Sequence, residues 1–170
     1  LLYEFIVILE NASDEELNDL ALNEIKKKQP AIQTLTHYLY LSKKFSMEQM
    51  MQITRLMILV WWYYKPWLKN ENKKIEEPLY LEMRKKHEAF EKKMAGNSRE
   101  YNKQMMDEML KNYPGRLLYG QIHRTIFMEK ANSFSKLPKA TKAFLVSYFK
   151  IIMDCFEALV DRTIGTARLN

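Results

Sequence analysis

Apolar residues recur along most of this chain at intervals of three and four, the spacing of one face of an α-helix. Leu1, Leu2, Phe5, Ile6 and Leu9 keep that spacing, while Tyr3, Val7 and Ile8 fill the other faces. Periodicity alone leaves this segment as a short buried helix or a single strand; its helical neighbours favour helix. Ser13, followed by Asp14, Glu15 and Glu16, is a capping box at a helix start, and Leu17, Leu20, Ala21 and Ile25 form the stripe behind it. Lys26, Lys27 and Lys28 suit the negative end of that helix, and Pro30 opens the next, which carries Ile32, Leu35, Tyr38 and Leu39.

A second capping box, Ser46 to Gln49, starts the most hydrophobic helix, over about 47–65. Met50, Ile53, Met57, Ile58, Trp61 and Tyr64 make one face; Met51, Leu56, Leu59, Val60, Trp62 and Tyr63 cover much of the rest. A helix apolar on every side belongs at the centre of a bundle or against a partner. Residues 67–77 are polar and read as a loop. Beyond them, helices are predicted over 78–94 (Leu79, Met83, Phe90, Met94), from Ser98 (Tyr101, Met105, Met109, Leu110), over 116–131 (Leu118, Ile122, Ile126) and from Pro138. The last takes its core face from Phe144, Ser147, Ile151, Phe156, Leu159 and Val160, with Gly165 as its cap.

These elements predict an all-α protein: an irregular antiparallel helical bundle of six or seven helices, forming one domain over 1–170, with the 67–77 loop as the one place to divide it. Composition agrees with a packed helical core. The 170 residues are 47% hydrophobic and 28% charged, with only 4 Gly and 5 Pro to supply the turns of a many-stranded fold. Cys155 is the only cysteine, which excludes an internal disulfide framework and points to a reducing, cytoplasmic setting. Leu56 to Tyr64 is the longest uncharged apolar run, short of the ~20 residues of a membrane span.

Charge changes the picture by being uneven. The net charge is +6; residues 1–64 hold 6 Lys/Arg against 8 Asp/Glu, whereas 99–142 hold 9 against 4. A basic second half suits nucleic acid or an acidic partner, or serves solubility alone. Arg84, Lys85 and Lys86 on one predicted helix, with Arg116 and Arg124 on another and Tyr113 and Tyr119 nearby, are the candidate nucleic-acid residues. Glu82, Glu88 and Glu91 interrupt the first cluster at ion-pair spacing.

Motifs for catalysis are absent. His87 has Glu91 where a zinc protease motif needs its second His, and the residues three before His37, His87 and His123 are Thr34, Arg84 and Gly120, so the Glu-x-x-His of di-metal bundles is missing. His123 is a candidate to pair with Glu129 or Asp154. Glycines are scattered, with no phosphate cradle. The expectation is no catalytic residue, no metal and no cofactor. Trp61, Trp62, Tyr63 and Trp67 crowd one helix end, and adjacent residues on a helix point in different directions; these four are the candidate partner-binding residues. The sequence therefore favours a non-enzymatic protein-interaction or adaptor module that self-associates, with nucleic-acid binding as the alternative. A membrane-surface role for the basic helix with Lys139, Lys142 and Lys150 is the weakest reading.

Overall fold

The succession of capped, periodic segments becomes eight α-helices in a computed structural model that describes residues 1–68, 73–129 and 132–160. They are α1 (Leu2–Asn11), α2 (Asp14–Leu20), α3 (Pro30–Lys43), α4 (Met47–Tyr64), α5 (Glu77–Met94), α6 (Arg99–Lys111), α7 (Arg116–Phe127) and α8 (Lys139–Leu159). The all-α class is as the periodicity predicts, and the count is slightly higher than the six or seven expected. Among the described residues there is no strand, only an isolated bridge between Leu68 and Val160. Gly165, the expected cap of α8, lies outside the described residues.

Local chemistry sets the helix starts. Both capping boxes form: the Glu16 and Gln49 amides donate to Ser13 Oγ and Ser46 Oγ at 3.3 Å, and the carboxylate and amide side chains return to the serine N–H groups at 2.7 and 2.9 Å. Pro30 occupies the first turn of α3, where its missing N–H costs nothing. Lys44 closes α3 in the left-handed region, at φ 51°. One departure from regularity has no signal in the sequence: after α2 the chain widens into a π turn over Ala21–Lys26 before α3 begins.

α4 lies against α1, α2, α7 and α8, which together cover the faces that no single neighbour could. It buries nine of its 18 residues, and α8 buries ten of its 21, so the core has two central helices where the sequence pointed to one. The buried side chains form one cluster drawing on both sides of the 67–77 segment: Ile53, Ile58 and Trp61 from one side meet Leu118, Phe149 and Phe156 from the other. The core face of α8 is also rotated from its expected register. Ile151 and Phe156 are buried, but Phe144 stays exposed under the Lys43 ammonium, 4.5 Å from the ring centre, while Leu145, Tyr148, Phe149 and Ile152 turn inward. Gln29 holds the residues that lead into α5: its buried amide donates to the Lys73 carbonyl at 2.8 Å and accepts from the Ile75 N–H at 2.9 Å. No helix of the described residues is long and apolar enough to cross a membrane.

Candidate functional site

The aromatic end of α4 divides between core and surface. Trp61 is 0% exposed; its indole N–H donates to Glu24 Oε2 at 2.9 Å, and its ring lies 5.9 Å from that of Phe156. Lys65 Nζ reaches the same carboxylate oxygen at 3.1 Å. Burial pushes the Glu24 carboxyl up, but the hydrogen bonds from Trp61 and Lys65 and the charges of Lys65 and Lys28 outweigh it and hold the group below its ordinary value. Trp62 is half-buried, with its ring 5.4 Å from Phe5 of α1. Tyr63 is half-buried too, its hydroxyl donating to the Pro114 carbonyl at 3.3 Å, and Trp67 is half-buried in the 3-10 turn after α4. Of the four candidate contact residues, Trp61 is thus enclosed by its own chain, and the other three reach the surface.

α1 carries apolar surface that the sequence pattern did not single out as a site. Leu9 is buried and Leu2, Phe5 and Ile6 are half-buried against the core, yet Tyr3, Val7 and Ile8 on the outer side are 76%, 38% and 54% exposed. Trp62 borders this helix through Phe5.

The basic candidates are placed less favourably. Arg84 Nε binds Glu88 at 2.7 Å and Lys86 Nζ binds Glu82 at 2.6 Å, each one turn away along α5. Lys85 is exposed, as are Arg116 and Arg124, which stand two turns apart on α7. The rings expected beside them for base stacking face elsewhere: Tyr119 is buried, and Tyr113 is half-buried over the Lys150 ammonium, 4.1 Å from its ring centre.

The histidines stand apart from one another. His37 is exposed, His87 Nε2 lies 3.2 Å from Glu91 Oε1, and exposed His123 stacks on Phe127 at 4.9 Å instead of meeting Glu129 or Asp154. Among the described residues no group of three or more His, Cys, Asp and Glu side chains could hold a metal ion. Cys155 is buried, and its thiol is pushed up to about 12 by burial and then by the Asp154 carboxylate, the reverse of what a nucleophile needs.

A buried polar cluster between α4, the turn joining α6 to α7, and α8 escaped the sequence pattern. Lys150, only 5% exposed, binds both oxygens of Asp154 at 2.5 and 2.7 Å. Next to it, the Tyr64 hydroxyl donates to Glu157 Oε1 at 2.7 Å. The Tyr113 hydroxyl sits beside Tyr64 and Asp154, buried and without a well-formed hydrogen bond. The lysine read as part of a basic surface is therefore an interior ion-pair partner. Only its i,i+4 spacing to Asp154 could have signalled this; the tyrosines come from distant parts of the chain.

Gly115 makes the close approach of this cluster feasible. A Cβ there would stand 2.5 Å from the Tyr64 hydroxyl, 2.9 Å from Met153 Cε and 3.1 Å from Tyr113 Cε1. The methionine end can yield, but the Tyr64 hydroxyl is held by Glu157. Gly115→Ala is expected to lower stability by about 2 kcal/mol, in line with overpacking of a filled site. Urea unfolding checks it, and a change within about 0.5 kcal/mol, ordinary for a surface position, would mean the site is loosely packed.

No protein-family model, curated protein or solved structure matches the chain.

Proposed function

We propose that this protein is a non-enzymatic, cytoplasmic protein-interaction module that self-associates through the outer face of α1. The supporting observation is the exposure of Tyr3, Val7 and Ile8 on one ten-residue helix whose other side is already committed to the core. Exposed apolar side chains gathered on one side of a helix suit an interaction surface, and a two-fold pairing buries the same side chains on both copies. Trp62 extends the patch at its edge, with Tyr63 and Trp67 on the same end of α4. Trp61 serves as a core anchor and is not part of the contact surface.

The test is Ile8→Glu, which places a charge on the patch at an exposed position. Light scattering is expected to show the parent as a dimer and the variant as a monomer, with identical circular dichroism. A variant that keeps the parent's mass removes α1 from the interface.

Nucleic-acid binding through Arg84, Lys85, Lys86, Arg116 and Arg124 is the alternative. Two of these five cations are already engaged by carboxylates one turn away, which weakens it. Oligonucleotide binding that falls steeply with salt would put that reading first.

A further inference from the structure

Three helical segments converge on a pocket that has no part in the α1 surface. It is open on one side and has a volume of about 450 Å³, within the range of roughly 300–1,000 Å³ typical of small-molecule sites. α3 and α4 form two walls. The π turn and the end of α2 form the third. A π turn carries one more residue per turn than its surroundings require and recurs at functional sites. Here the widened segment places Ala21 and Ile25 in the wall and half-exposed Leu22 at the mouth.

The lining has a definite chemistry. Asn18, Gln33, Thr36, Tyr40 and Thr54 supply two amides and three hydroxyls, and Ala21, Ile25 and Met57 supply apolar wall. No charged side chain lines it. The hydroxyls are fixed in place: Thr36 Oγ1 donates to the Ile32 carbonyl at 2.8 Å and lies 2.9 Å from the Tyr148 hydroxyl, and Tyr40 OH lies 3.1 Å from Thr54 Oγ1. By contrast, the Asn18 and Gln33 side chains hydrogen-bond to no described residue, which leaves donors and acceptors of both kinds available beside apolar surface.

We propose that this pocket binds an uncharged cyclic molecule bearing hydroxyl or amide groups. The apolar wall takes the ring, and the amides of Asn18 and Gln33 take the polar substituents. An ionised ligand is disfavoured because no charged side chain lines the pocket to offset the loss of its hydration.

The probe is resorcinol, a flat ring with two hydroxyls, titrated into the full chain and followed by amide NMR; benzoate, of similar size but charged, is the control. Saturable shifts confined to residues 18–25, 33–40 and 54–57 are expected, with a dissociation constant in the millimolar range appropriate to so small a fragment. Benzoate is expected to bind at least about tenfold more weakly, an ion of its size losing hydration without compensation. Asn18→Ala, at an exposed position where folding is not at risk, should weaken resorcinol about fivefold, the worth of one hydrogen bond. Ala21→Phe fills the pocket and should abolish the saturable shifts. Unsaturable or scattered shifts with resorcinol, equal binding of benzoate, or undiminished binding by folded Ala21→Phe would each overturn the proposal.

Discussion

Lys150→Ala is expected to cost about 3 kcal/mol of stability, the low end of the range for breaking a buried ion pair from one side. Three losses combine. The substitution leaves the Asp154 carboxylate, whose side chain is 23% exposed, without the ammonium held at 2.5 Å. It also removes the cation 4.1 Å from the Tyr113 ring centre and empties the space taken by the lysine stem. Partial access of water to Asp154 keeps the cost from the upper end of the range. The distinguishing variant is the pair Lys150→Met with Asp154→Leu. Replacing both charges by apolar groups of similar shape should bring stability back to within about 1 kcal/mol of the parent, because the ion pair's attraction is largely offset by its own desolvation. Denaturant unfolding of the two single variants and the double variant closes the cycle. Additive losses would mean that Lys150 and Asp154 do not act on each other.

Alkaline pH is expected to unfold the protein cooperatively. Burial, then the neighbouring Tyr113 and Glu157, pushes the Tyr64 phenol far above its ordinary value; burial, then Asp154, does the same to Tyr113; burial does so for Tyr148. Burial and Asp154 raise Cys155 to about 12. In the unfolded chain the phenols ionise near about 10 and the thiol near about 8.5. Their stabilising contribution is therefore complete below those values. Above about pH 10 the unfolded state binds fewer protons than the folded one, and stability falls by about 1.4 kcal/mol per group for each pH unit. Four such groups lose about 5 kcal/mol per unit, enough to exhaust an ordinary domain within about two units. Phenolate absorbance and helical circular dichroism, recorded through the same titration, should show the buried tyrosines ionising in the step that melts the helices. Their complete ionisation near pH 10 with helices intact would mean that water reaches these phenols in the folded protein.

Features of the fold that rest on neighbouring residues were legible in the sequence. The two capping boxes need only residues three apart, and Pro30 acts on its own backbone. Features that rest on distant partners were not. An all-round apolar α4 is equally consistent with enclosure by its own domain and with burial by a partner; the enclosure of Trp61 depends on Glu24 and Phe156, which no periodicity connects to it. The face of α8 was misread because its second half is apolar on more than one side, and because Lys43 gives Phe144 a partner outside the core. Lys150 carries a charge that pattern reading assigns to solvent, and only the fold brings Tyr113 over it. The pocket depends on the π turn, for which residues 21–26 give no compositional signal. The outer face of α1 lay in plain view as Tyr3, Val7 and Ile8, yet without knowing which side the core takes, those residues are indistinguishable from Phe5 and Ile6.

Self-association through α1 is the claim on which the functional reading stands, and sedimentation equilibrium of the unmodified chain tests it most directly. The account predicts a mass that rises with concentration from that of the 20.4 kDa chain to twice that value and no further. A mass of 20.4 kDa at every concentration up to about 100 μM, a hundredfold above a micromolar dissociation constant, would contradict it.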